Sequence, residues 1–118
     1  MGNNIEKGKK GELIAKEYLL SKGYNILDLN YRNKIGEIDI IAFYNNTLVF
    51  IEVKTRTSTS FGHAYEAVNR RKQEKIIYCY NLYMKQKNLI DFQIRYDIIE
   101  VYLTSNIRIN HIENSFCW

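Results

Sequence analysis

The sequence has no proline, one tryptophan and two cysteines in 118 residues. Cys79 and Cys117 show no CxxC spacing, so a zinc site is not suggested. No apolar run approaches the roughly 20 residues that a membrane span needs. The opening segment MGNNIEKGKKGE carries no apolar h-region, so a secretory signal is not expected. Glu6 stands where a myristoylation signal has Ser or Thr, so that lipid is not indicated either. A cytoplasmic location with reduced cysteines is the expectation. No internal repeat, low-complexity tract or linker interrupts the chain. One domain spanning residues 1–118 is therefore expected.

What is present is ordinary globular composition, 46% apolar and 25% charged, with ten tyrosines. General disorder is not the expectation. Lysine and arginine exceed aspartate and glutamate by 17 to 13, a formal charge of +4. That excess permits binding to nucleic acid, although a well-solvated surface accounts for it equally well.

Residues 4–22 carry Ile5, Gly8, Glu12, Ala15 and Leu19 on one helical stripe, widened by Leu13, Ile14, Tyr18 and Leu20, and Gly23 ends it. Residues 24–32 read as a strand. Residues 36–44 (GEIDIIAFY) and 47–56 (TLVFIEVKTR) are rich in β-branched and aromatic residues and flank Asn45-Asn46, which predicts a hairpin. Residues 57–63 are small and polar and read as a loop. A second helix is expected over 65–87, with Val68, Ile76, Tyr80 and Tyr83 inward. Two strands, 91–103 and 106–113, follow around Thr104-Ser105-Asn106. The order αβββαββ predicts an α/β sandwich of a mixed five-stranded sheet flanked by helices.

If Asn45-Asn46 is the hairpin loop, Phe43 faces Leu48 and Ile41 faces Phe50. One step further Asp39 faces Glu52, and then Glu37 faces Lys54. These side chains share one face by the strand period. The other face, Ile38, Ile40, Ala42, Val49, Ile51 and Val53, is apolar. Opposed carboxylates on a sheet have Cβ atoms about 5 Å apart and repel each other. A divalent cation turns that repulsion into attraction, and hard oxygen ligands suit magnesium or manganese. Lys54 lies beside such a site, able to orient or deprotonate a water or to meet charge developing on a phosphate. The competing reading is a solvated face in which Asp39 and Glu52 pair with Lys54 and Arg56, or Lys54 pairs with Glu37.

Glu12 interrupts an apolar stripe, where an unpaired carboxylate is costly to bury. Gly8 and Gly11 beside it allow close approach of backbone or ligand. At the rim it would pair with a lysine instead. Lys72 lies on the inner stripe of the second helix, as a phosphate ligand or as a surface lysine with a buried stem. Arg70, Arg71 and Lys75 form a basic face suited to a phosphate backbone. Asp97 is flanked by apolar residues and reads as the cap of a buried network. His63 and His111 have no partner at metal-ligand spacing. Tyr78, Tyr80 and Tyr83 read as core and interface.

The segments GELIAKEYL, GEIDIIA, LVFIEVKTR, FGHAYEAV and RYDIIEV, in this order and at these intervals, closely resemble the uncharacterised bacterial YraN-type family. The match runs from about Gly8 to Phe116. That family is grouped with the PD-(D/E)xK nuclease superfamily, and the spacing is also similar to archaeal Holliday-junction resolvases. The resemblance implies a restriction-endonuclease-like three-layer sandwich. It also implies a divalent metal surrounded by Glu12, Asp39, Glu52 and Lys54. The superfamily's proline before the aspartate is replaced by Ile38.

On this reading the chain is a magnesium- or manganese-dependent endonuclease acting on DNA, including branched or damaged DNA. Asp39 and Glu52 hold the metal with the carbonyl of Val53 as an additional ligand. Lys54 activates water, and Glu12 binds a metal water or a second metal. Arg56, Arg70, Arg71, Lys72 and the 55–63 loop contact phosphates. The expected partners are DNA and, since junction nucleases often work as homodimers, a second copy of the chain. No membrane partner is expected. Two rivals stand beside it: a nucleic-acid-binding module of the same fold with little chemistry, and an interaction protein docking through the Tyr-rich second helix.

Overall fold

The structure, a computed structural model, describes residues 4–57 and 69–115. The loop expected over 58–63 with His63, the helical start expected at 65–68 with Val68, and Cys117 lie outside the described residues. The elements are α1 (Asn4–Ser21), β1 (Asn25–Arg32), β2 (Glu37–Tyr44), β3 (Thr47–Arg56), α2 (Arg70–Gln86), β4 (Gln93–Leu103) and β5 (Ile107–Ile112). The order is the expected one, and strand ends shift by one or two residues, as frayed ends do.

The strands form one sheet in the order β1-β2-β3-β4-β5. β3 and β4 run parallel, and the other pairs are antiparallel. A parallel pair needs a crossover, and α2 supplies it. The hairpin turns at Asn45 and Asn46, with φ of 49° and 57°, the left-handed pair that matches the twist of the flanking strands.

The two helices cover opposite faces. Ile76, Cys79, Tyr80 and Tyr83 of α2 pack on Ile41, Leu48, Phe50, Tyr96 and Ile98. Ala15 and Leu19 of α1 pack on Ile40, Ala42, Val49, Ile51, Ile99 and Val101. The α1 stripe is narrower than its spacing suggested: Ile5 is 71% exposed, and Leu13 and Leu20 are exposed as well. Gly11, Ala15 and Leu19 are its buried residues, and Ile14 and Tyr18 pack half-buried beside them. Gly11 is the contact point, because a Cβ there would collide with the Thr55 side chain of β3. The missing side chain lets α1 lie directly on the sheet and carries Glu12 toward the hairpin.

Two further expectations are corrected. Asn69 is extended (φ −72°, ψ 167°), and its side chain accepts the Lys72 N–H at 2.8 Å. A helix therefore cannot run unbroken from 65; α2 starts at this N-cap. Ile38 packs with the α2 cluster, not with Ile40 on the α1 face. The alternation breaks between them, beside Asn30 of β1, whose φ is 54°.

Asp97 caps a buried network, as expected. It is fully buried. Its Oδ1 accepts from Arg95 Nε at 3.0 Å and from the Asn114 N–H at 2.9 Å. Its Oδ2 is bonded to His111 Nε2 at 2.7 Å, and His111 Nδ1 meets the Tyr18 hydroxyl at 2.9 Å. His111 is thus a structural residue joining α1, β4 and β5.

Candidate functional site

The hairpin register runs as predicted from Tyr44↔Thr47 to Ile40↔Ile51. There the ladder stops. Asp39 does not stand opposite Glu52 as a paired residue. Its carboxylate reaches across, and Oδ2 accepts the Val53 N–H at 2.8 Å. A side-chain oxygen has replaced a main-chain acceptor, so the strands part without leaving a buried N–H unpaired. The Glu37–Lys54 pairing is lost for the same reason. Glu37 instead pairs with Arg32 at 3.2 Å.

Glu52 sits at the parting, on the α2 side of the sheet. Its Oε1 accepts from the Tyr96 hydroxyl at 2.7 Å. Its Oε2 lies 3.4 Å from Lys72 Nζ and 3.6 Å from Lys54 Nζ. Tyr96 is only 4% exposed, and burial together with the charge on Glu52 pushes its phenol far upward. It therefore remains a hydrogen-bond donor. Tyr96 belongs to the candidate site without any signal in local spacing: its proximity to Glu52 depends on the parallel β3–β4 register.

Asp39, Glu52, Lys72 and Tyr96 line a cleft of about 600 Å³. Glu37, Asp39 and Glu52 form an acidic wall. Arg71, Lys72 and Lys75 from the start of α2 form a basic one. The N-terminus of α2 lies among the basic residues, and its dipole adds to their attraction for anions. Tyr96, Cys79 and Ile76 line it as well.

The two carboxylates differ. Burial pushes Asp39 up to about 6, and the charges of Glu12, Glu52 and Glu37 add to the shift against the Val53 hydrogen bond. Burial also pushes Glu52 up, but the Tyr96 hydroxyl and the Lys54 and Lys72 ammoniums outweigh it and hold Glu52 below the usual range. Glu12 is raised, chiefly by burial and then by Glu37. Asp39 thus carries an uncompensated negative charge, while Glu52 already has cations beside it.

Of the residues picked out in the sequence, Asp39, Glu52, Arg71 and Lys72 line the cleft, and Lys54 joins them through Glu52. The Val53 side chain packs on the α1 side, while its N–H holds Asp39. Glu12 is half-buried on α1 and reaches the site through its charge. Among the described residues no three Asp, Glu, His or Cys side chains converge on one point. Arg70 points to solvent and pairs with Glu74 at 3.7 Å, one helical turn on. Arg56 is bonded to Glu100 at 3.2 Å, beyond the cleft. Tyr80 and Tyr83 are core residues, whereas Tyr78 is exposed.

Among the described residues no helix is long and apolar enough to cross a membrane. A family model described as "Uncharacterised protein family UPF0102" matches residues 11–101. A UPF0102 protein of Clostridioides difficile is 52% identical over 114 residues, covering 97% of this chain and 99% of its own. One from Caldanaerobacter subterraneus subsp. tengcongensis is 50% identical over 118 residues, covering 97% of both. One from Persephonella marina is 43% identical over 110 residues, covering 93% of this chain and 92% of its own. Nearly end-to-end similarity across these bacteria, with the hairpin and its acids inside the matched span, shows that the chain belongs to the UPF0102 family.

Proposed function

We propose that the chain is a metal-dependent endonuclease acting on DNA, including branched or damaged DNA, on a restriction-endonuclease-like core of the PD-(D/E)xK type. The observation that carries this reading is Asp39. Its half-buried carboxyl is held by a main-chain N–H and feels the charges of three other acids, Glu12, Glu52 and Glu37, and no fold gains stability from that arrangement alone. A divalent cation is what such a set lacks. Its donors are hard oxygens, which fit magnesium or manganese. Asp39, Glu52 and the Val53 carbonyl would hold the ion. Glu12 would hold one of its waters or a second ion.

When bound, the ion would lower the pKa of a water and offset charge on the phosphate. The remaining work falls to the chain's own side chains. Lys54 lies 3.6 Å from Glu52 Oε2 and would orient the attacking water. Tyr96 fixes the other Glu52 oxygen, so the carboxylate presents one defined edge. Lys72 and Arg71, on the basic wall, would draw the scissile phosphate into the cleft against its acidic floor. Arg70 and Arg56 would meet phosphates outside the cleft. A cytoplasmic location suits this activity.

Cleavage of duplex, nicked and four-way DNA with and without magnesium tests the reading. Wild type should cut only with the metal, and Asp39→Ala should be inactive. Equal, metal-independent activity in both would sink the reading. One observation favours a second reading, a nucleic-acid-binding module with little chemistry: Lys54 and Lys72 already neutralise Glu52 without a metal. Salt-dependent DNA binding without cleavage in any divalent metal, unchanged in Glu52→Ala, would select it.

A further inference from the structure

Beyond the cleft, the α2 side of the sheet continues in a row of polar residues that the apolar core does not use. Lys54 of β3 stands beside Glu100 of β4, and Arg56 beside Tyr102. Across the next ladder Glu100 faces Asn110 of β5, and Tyr102 faces Arg108. Glu100 is fully buried. It accepts from Arg56 Nη2 at 3.2 Å, from the Tyr102 hydroxyl at 3.3 Å and from Asn110 Nδ2 at 2.9 Å. One buried carboxylate thus fixes three side chains that stand on the sheet face. Among the described residues Arg56 donates to Glu100 through Nη2, and the guanidinium carries further N–H groups that an outside acceptor can use. Over the fixed Tyr102 ring lies the Arg108 guanidinium, 4.6 Å from the ring centroid. Arg108 is exposed and Tyr102 half-buried.

We propose that this row is a single-strand track in which an unpaired nucleobase stacks on the Arg108–Tyr102 pair. The inference rests on the nuclease reading of the cleft and gives its substrate class: a nucleic acid with an unpaired strand next to the bond to be cut. Lys54 and Arg56 are two residues apart on one strand, about 7 Å, a spacing suited to successive phosphates along a nucleic-acid strand. One feature of the row argues that this strand is unpaired. A planar cation seated on an aromatic ring offers a stacking surface that every base can use, and a paired base inside a duplex cannot reach it. Against the two acids Glu52 and Glu100, the four cations Lys72, Lys54, Arg56 and Arg108 leave the path net basic, matching a phosphate backbone. The cross-strand pairing of Tyr102 with Arg108 would also stabilise the β4–β5 hairpin. That role needs neither Arg56 nor a buried acid to orient it.

The test is equilibrium binding of a short single strand carrying 2-aminopurine, and of the matching duplex, in EDTA at low salt. Wild type should bind the single strand more tightly and quench the 2-aminopurine by stacking. Arg108→Ala should weaken single-strand binding on the order of tenfold and abolish the quench. Arg108→Lys keeps the charge but not the plane. It should keep the salt dependence and lose the quench. Tyr102→Phe should keep the quench, and Tyr102→Ala should lose it. Arg108 is exposed, so its variants report on binding even if Tyr102→Ala unfolds. Binding and quenching by Arg108→Ala equal to wild type would overturn the track, as would a wild type that prefers duplex. The metal-dependent cleavage assay on Asp39→Ala fails or succeeds independently, so the two readings can fall separately.

Discussion

Asp39→Asn should stabilise the metal-free protein at alkaline pH while abolishing the activity proposed for it. The carboxyl is raised from 3.8 to about 6, first by burial and then by its acidic neighbours. At 1.36 kcal/mol per pK unit, this charge costs the folded state about 3 kcal/mol once it is fully ionised. The sign follows from proton counts. Between about pH 4 and pH 6 the folded protein holds more protons on Asp39 than the unfolded chain does, so stability falls as pH rises through this window. By about pH 7, one unit above the folded value, the loss is essentially complete.

Asparagine removes the charge and keeps an oxygen for the Val53 N–H. A hydrogen bond to a neutral acceptor is weaker than one to a carboxylate by about 1 kcal/mol. The electrostatic gain wins, leaving about 1–3 kcal/mol of net stabilisation at pH 8. At pH 4.5 wild-type Asp39 is already largely protonated when folded, and the advantage should vanish or reverse. Urea denaturation in EDTA at pH 4.5, 6 and 8 measures the difference between variant and wild type, cancelling the other titrating groups. A difference that does not change with pH would refute the reasoning, as would an Asp39→Asn protein destabilised at pH 8.

Other substitutions probe the supports of the site. Tyr96→Phe keeps the ring in the core and removes the 2.7 Å bond to Glu52; it should cost about 1–3 kcal/mol and weaken manganese binding by calorimetry at least tenfold. Gly11→Ala forces a methyl into Thr55, whose Cβ and Cγ2 would lie 3.2 and 3.3 Å away; it should cost about 1–3 kcal/mol, and urea midpoints should recover in the Gly11→Ala/Thr55→Ala double variant. Asp97→Ala strands Arg95 and His111 without their shared acceptor; a loss of about 3–5 kcal/mol, seen as a lowered melting temperature, is expected without any change in metal affinity.

The hairpin shows how far the sequence could be read and where it stopped. Apolar pairing fixed the register from Tyr44↔Thr47 to Ile40↔Ile51, because a one-residue slip would have moved every core side chain to the wrong face. The same pattern carried the register too far. Past Ile40 no apolar pair enforces it, and main-chain pairing gives way to a side-chain bond from Asp39 to Val53. Such an exchange leaves no periodic trace in sequence, and neither does the left-handed Asn30 beside it. The pattern therefore puts Ile38 on the wrong face and sets Glu37 opposite Lys54; of the two partners open to Lys54 it is Glu52, at 3.6 Å, that it meets. Tyr96 was illegible for a different reason: 44 residues separate it from Glu52, and only the parallel crossover through α2 brings them together. These corrections strengthen the case for chemistry. Carboxylates locked opposite each other in a continuous ladder would have their main-chain groups tied up and their edges crowded. Where the strands part, a carboxylate can turn toward a ligand, and the carbonyls near Val53 are released from pairing with β2. The break in the ladder, rather than the opposition of two acids, is what makes this end of the hairpin a candidate site.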